Sequence, residues 1–269
     1  MHTRSVLLTL ILTLSSGGWA SAQSKELAGI AHVAFRAADL ERSRRFYENL
    51  GFEKAFEFAD SGKVTELFIK VNDRQFIELY PQSQESQSVG FMHVCFEVND
   101  IESLRKAYTN EGLNPPESRK FRAGNLLFVL HDPEGQLLEY TQYLPGSLHD
   151  ADHGQHLGKE RISTHLLATS TPAKDLSVER EFYSGKLGFA GTDASPTLRL
   201  PGNSGDELDL TTLSKGSAVV TFTVDNVKNA AEILKKRGLT TETQRNNVAV
   251  RDPDGTLIVF RATHKNEKE

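Results

Sequence analysis

Two histidines and two glutamates recur at one spacing. Glu78 follows His32 by 46 residues, and Glu139 follows His93 by the same interval. Each sits where a half-buried strand should be apolar. Side chains alternate along a strand, so Val33 and Phe35 share one face while His32, Ala34 and Arg36 share the other. Ile77 and Leu79 likewise oppose Phe76, Glu78 and Tyr80. Val94, Phe96 and Val98 oppose His93, Cys95 and Glu97, and Leu138 and Tyr140 oppose Leu137, Glu139 and Thr141. A single strand histidine is ordinarily a satisfied core residue. Four such groups at matching positions of a repeated unit need another reason, because a buried, unpaired carboxylate is costly. A divalent cation compensates both carboxylates at once. Two imidazoles and two carboxylates form an N2O2 set suited to Zn, Ni, Fe, Co or Mn, with positions open to water or substrate. Such a cation polarises neighbouring oxygens of a small-molecule substrate. One glutamate then serves as base on the adjacent C–H; Glu139 is the nominee and Glu78 the retained ligand.

The elements that must position these groups are repeated. Ala31-His32-Val33-Ala34-Phe35 leads through Asp39-Leu40 to Phe46-Tyr47-Glu48-Asn49-Leu50-Gly51-Phe52. Thr164-His165-Leu166-Leu167-Ala168 leads through Asp175-Leu176 to Phe182-Tyr183-Ser184-Gly185-Lys186-Leu187-Gly188-Phe189. A second pairing interleaves, from Met92–Asp100 to Asp132-Pro133-Glu134-Gly135 and from Val219–Asp225 to Asp252-Pro253-Asp254-Gly255. Each unit opens with a short alternating strand. A helix capped by Asp39 and stopped at Gly51, or capped by Asp100 and stopped at Gly112, comes next. Val227, Ala231 and Leu234 mark the fourth helix, stopped by Gly238. Strand-like runs and hairpin turns complete the unit. The expected class is α+β, four βαβββ modules in two pairs over 28–143 and 161–262. Residues 144–160 form the linker. Its His149, Asp150, Asp152, His153 and His156 are expected to be solvated, as are Arg119, Lys120 and Arg122.

The second pair reads as degenerate and structural. His165 keeps the first position and Asp209 can replace a glutamate, but Val219 and Val259 stand where the other ligands should be.

The chain has 269 residues. Residues 1–22 read as an export signal, with Arg4, the apolar run Val6–Leu14 and the cleavage pattern Ala20-Ser21-Ala22. That run is too short to span a bilayer, and no cysteine follows the cut, so no membrane anchor is expected. The expected mature protein starts at Gln23 and carries 30 basic against 36 acidic residues. Its mild acidity argues against nucleic acid as a partner. One cysteine, Cys95, excludes an internal disulfide and reads as a small core residue. A periplasmic or secreted monomer or homodimer is expected.

The chain resembles the vicinal oxygen chelate superfamily of glyoxalase I, bleomycin-resistance proteins and extradiol dioxygenases. The resemblance rests on the Phe-Tyr-x-x-Leu-Gly-Phe helix end, the Ile77-Glu78-Leu79 strand and the Asp-Pro-x-Gly turn. It is strong over 28–143 and weaker over 161–262. It implies paired modules curled into an open barrel around a metal, held in glyoxalase-type members at positions matching His32, Glu78, His93 and Glu139. It also implies that Arg36 meets a substrate carboxylate. Gln82, where glyoxalases often carry Asn, weakens the case for glutathione. The expected activity is a glyoxalase-type isomerase or lyase. The alternatives are a ring-cleaving dioxygenase and a non-catalytic ligand-binding protein.

Overall fold

The computed structural model describes residues 26–192, 194–212 and 217–263; the expected export signal lies outside the described residues. The first module comprises β1 (Leu27–Ala37), α1 (Leu40–Asn49), β2 (Glu53–Asp60), β3 (Lys63–Lys70) and β4 (Phe76–Pro81). The second comprises β5 (Gly90–Val98), α2 (Ile101–Asn110), β6 (Arg119–Lys120), β7 (Leu126–His131) and β8 (Leu137–Gln142). Together they build one eight-stranded sheet, ordered β2-β3-β4-β1-β5-β8-β7-β6. Two modules thus meet back to back, and their first and last strands occupy the centre. A short helix, α3 (Leu148–Ala151), follows β8.

The helices begin and end where the residue types dictate. The Asp39 carboxylate accepts from the Arg42 amide at 3.0 Å, and the Asp100 carboxylate accepts from the Glu102 and Ser103 amides. Phe46 and Tyr47 of α1, with Ile101, Leu104 and Tyr108 of α2, are buried against the convex face of the sheet. Gly51, at φ +87°, ends α1 in the left-handed region and presses its Cα side against the Glu160 backbone, where a Cβ would lie 2.2 Å from the carbonyl oxygen.

The third module is β9 (Leu166–Pro172), α4 (Leu176–Arg180) running into a π-helical turn over Glu181–Lys186, β10 (Thr197–Arg199) and β11 (Glu207–Thr211). The fourth is β12 (Val219–Val224), α5 (Val227–Lys236), β13 (Glu242–Thr243), β14 (Asn247–Arg251) and β15 (Leu257–Ala262). They form a seven-stranded sheet, ordered β10-β11-β9-β12-β15-β14-β13. The expectation of four equal modules needs one correction. Among the described residues, the strand expected directly after the third helix is a single bridge between Ala190 and Arg199. The segment Ala190–Pro196 is rich in Gly, Asp, Ser and Pro, which pair poorly as strand.

The π-helical turn answers a length difference. One more residue separates Tyr183 from Leu187 than separates Tyr47 from Leu50. The Leu50 amide donates to Phe46 O, four residues back, whereas the Leu187 amide donates to Phe182 O, five back. Phe182, Tyr183, Leu187 and Phe189 stay buried, as do Phe46, Tyr47, Leu50 and Phe52.

The halves grip one another reciprocally. Tyr47 donates to Asp252 in the last turn of the second half, and Tyr183 donates to Asp132 in the corresponding turn of the first. The turn aspartates are themselves fixed by amides, Gln136 and Thr256 donating at 2.7 Å.

Candidate metal centre

The register of the central strands brings the four predicted groups together. Ala34 stands opposite both Glu78 of β4 and His93 of β5, while Cys95 stands opposite both His32 of β1 and Glu139 of β8. One local two-fold relation therefore maps His32 onto His93 and Glu78 onto Glu139, and alternation sends all four side chains to the concave face. The two Nε2 atoms lie 3.2 Å apart. Glu78 Oε2 is 3.2 Å from each, and Glu139 Oε2 is 3.6 Å from His32 and 3.4 Å from His93. Neighbouring ligand atoms sharing a cation at about 2.1 Å are themselves about 3.0–3.4 Å apart. Glu78 Oε2 is buried without a hydrogen-bond donor, an arrangement that costs free energy unless something positive is held there. The donor set and its spacing fit a divalent cation.

Without one, the cluster settles as imidazolium–carboxylate pairs. Burial would lower His32, but its neighbours Cys95 and Glu78 hold it well above its ordinary value. Burial would also lower His93, and Glu139 and Glu78 raise it instead. Burial opposes ionisation of Glu78, yet His32 and His93 keep its carboxyl well below the usual range. The same two imidazoles, led by His93, overcome burial at Glu139 and bring it down to about 2. The two glutamates differ in their restraints. Tyr80 donates to Glu78 at 2.9 Å, and the side chain of Glu78 is 5% exposed against 17% for Glu139.

Sequence reasoning missed three contributors. Glu66 on β3 lies beside the cluster, where burial and then the Glu78 carboxylate push it up to about 9. Its face is shared with Phe68, which is buried, and that alternation was the available signal. Cys95 is buried as expected, but it is more than a filler, since its Sγ lies within 4.8 Å of ligand atoms of His32 and Glu139. The linker histidine His149 is 6% exposed instead of solvated. The linker folds back over the first sheet because buried Lys70 anchors it, with Nζ 2.8 Å from Asp152 Oδ2 and 2.8 Å from Asp73 Oδ1. Asp152 is buried too, whereas His153 stays exposed.

A cavity of about 150 Å³ opens onto the cluster, bordered by His32, Glu78 and Glu139 together with Phe68, Tyr143 and His149. Arg36 is not among its lining residues. Its guanidinium donates to the Ser88 carbonyl at the strand end. Arg122 borders the cavity while staying exposed in its turn, as expected of a solvated loop residue. It lies over the Phe58 ring at 4.4 Å and donates to Asp60 at 2.7 Å.

Among the described residues, the second sheet does not repeat the cluster. Thr221 stands opposite Ala168 and Val259, and Asp209 stands opposite Ser170. Ala168, not His165, therefore corresponds to His32, and Asp209 remains beside Val219 and Val259. His165 falls before β9 and pairs with Asp206 at 2.9 Å, an acid that also accepts from the Ile30 amide. The misplacement arose because a His-apolar-apolar run looks alike in either register.

The model of the Glyoxalase/Bleomycin resistance protein/Dioxygenase superfamily matches residues 29–140. That stretch, a little under half of the chain, is similar to members of this superfamily. No match is found among curated proteins. Solved structures extend the likeness of fold to both halves. The Mn(II)-bound glyoxalase from Novosphingobium aromaticivorans is 14% identical, with a TM-score of 0.67 over 88% of this chain and 82% of that one. An extradiol ring-cleaving dioxygenase from B. fuscum is 18% identical, with a TM-score of 0.67 over 89% of this chain and 72% of that one. The 2,3-dioxygenase LapB from Pseudomonas sp. KL28 is 16% identical, with a TM-score of 0.60 over 89% and 93%. At these identities the likeness is one of fold, and both chemistries occur on it.

Proposed function

We propose that this vicinal oxygen chelate protein is an exported, metal-dependent isomerase or lyase of glyoxalase type, acting on a small substrate with neighbouring oxygens. The observation that carries the reading is that two imidazole Nε2 atoms 3.2 Å apart each lie 3.2–3.6 Å from an oxygen of Glu78 and an oxygen of Glu139, beside a cavity. His32, His93, Glu78 and Glu139 would hold a divalent cation, which supplies polarisation of two adjacent substrate oxygens. The residues divide the remaining work. Glu78, tied to Tyr80, stays in place. Glu139, the more open of the pair and without that tie, takes the proton from the carbon beside the polarised carbonyl and returns it to the neighbouring carbon. The aromatic side chains of Phe68 and Tyr143 give the cavity an apolar wall beside the reacting carbon.

The experiment is elemental analysis of the purified protein beside its His93→Ala variant, followed by assay of Glu139→Gln. Stoichiometric metal in the parent, loss in His93→Ala, and retained metal without turnover in Glu139→Gln are expected. A metal-free parent with full ligand affinity points to a binding protein instead. Coloured ring-cleavage products from catechols would assign the dioxygenase chemistry that the extradiol fold neighbours keep in view.

A further inference from the structure

We propose that His149, supplied by the segment between the two sheets, is a substrate-binding residue whose Nε2–H donates to an oxygen of the bound substrate. The proposal rests on the metal-dependent reading of the cavity and adds a specificity determinant to it.

The tautomer of His149 is set by its surroundings. The Asn125 side-chain oxygen accepts from the Leu144 amide at 3.1 Å, which orients the carboxamide. Asn125 Nδ2 is then the group 2.8 Å from His149 Nδ1, so Nδ1 accepts and the ring proton resides on Nε2. The ring is held rigidly, stacked on Tyr143 at 4.7 Å and met edge-on by Phe56 and Phe76. Burial pushes the imidazole down to about 3, and the ring is neutral across the physiological range. Its Nε2 is buried and has no hydrogen-bond partner in the protein.

A buried donor left unmade is a standing cost, and a polar network that is otherwise complete rarely carries one without purpose. His149 borders the same cavity as His32, Glu78 and Glu139. An acceptor oxygen entering that cavity would complete the network. A neutral donor in an aromatic frame selects a carbonyl, carboxylate or phenolate oxygen. The implied substrate class therefore has a third oxygen beyond the two neighbouring ones that the cation would engage. The rigid ring also makes recognition depend on the linker: the same segment whose Asp152 is clasped by Lys70 delivers the donor.

The test uses the mature protein loaded with cobalt(II) and 4-nitrocatechol as probe, a molecule with two vicinal oxygens and further acceptors on its nitro group. His149→Phe keeps a ring in the aromatic frame but removes the donor. It should keep its cobalt and bind the probe about tenfold more weakly, equivalent to about 1.4 kcal/mol, while His149→Gln, which restores a donor, recovers most of the affinity. Equal affinity of the parent and His149→Phe, or no uptake by either with cobalt in place, overturns the proposal. Nitrogen-15 imidazole spectra of the zinc-loaded parent decide independently of how the variants fold. The Nε2–H resonance of His149 should shift on probe addition, and a resonance that stays put rejects the assignment. Absence of metal binding by the parent is a separate outcome: it removes the metal reading, and the resonance test on the metal-free protein then judges His149 alone.

Discussion

Protons and a cation must compete for the cluster at the centre of the first sheet, and the competition has a calculable slope. Both imidazoles are raised above their ordinary value, so below pH about 6.5 each carries a proton. Both carboxylates are lowered, Glu139 to about 2, and they stay ionised in the same interval. A divalent cation bound by both Nε2 atoms therefore displaces two protons. Affinity should fall about a hundredfold for each pH unit below 6.5. Calorimetric titration with zinc at pH 5.5 and 6.5, in two buffers of different ionisation enthalpy, reads both the affinity and the proton count. A change under fivefold, or release of less than one proton, would refute the paired-imidazolium account. The metal-free protein should show the opposite trend. The raised histidines contribute stability that is complete below about 6.5 and lost as pH rises through their folded values. The lowered glutamates contribute stability that is present above about 4.5 and lost on acidification through the Glu139 value near 2. The cluster therefore stabilises the metal-free fold best between about pH 4.5 and 6.5.

Glu179 is fully buried at the seam between the halves, and burial followed by Asp132 and Glu134 pushes it up to about 8. The stability tied to its neutral form is complete below about 4.5 and lost as pH rises through 8, so Glu179→Gln should match the parent near pH 5 and exceed it by about 4 kcal/mol at pH 9 in denaturant melts. Gly51→Ala should lose about 2–3 kcal/mol, because the left-handed backbone and the close Glu160 carbonyl both reject a methyl group; an unchanged melting temperature would contradict that packing. Secretion is read by N-terminal sequencing of the exported protein, which should begin at Gln23, whereas recovery of Met1 would dismiss the export signal.

The repeat made the architecture and the four ligand-type residues legible, because a period of two along strands and an equal interval in the two modules are written directly in residue order. Elements that depend on long-range docking were not. His149, Asp152 and Lys70 are polar residues whose burial follows only from the linker folding back on the sheet. Arg36 shares the alternation of His32, but it lies where the strand leaves the barrel, and a guanidinium is long enough to turn towards the Ser88 carbonyl. Register within the second half was ambiguous for a different reason: where several apolar and small residues run together, a shift leaves the local pattern almost unchanged. Only pairing with β12 shows that Ala168 takes the place of His32.

The extra hydrogen-bond step at Leu187 bears on how duplicated copies diverge. A single-codon insertion inside a helix would ordinarily rotate every following side chain by about 100°. Here the added residue is swallowed within one turn, and the aromatic anchors on either side keep their seats. Helical segments that end at a docked aromatic can therefore gain length without losing their partners.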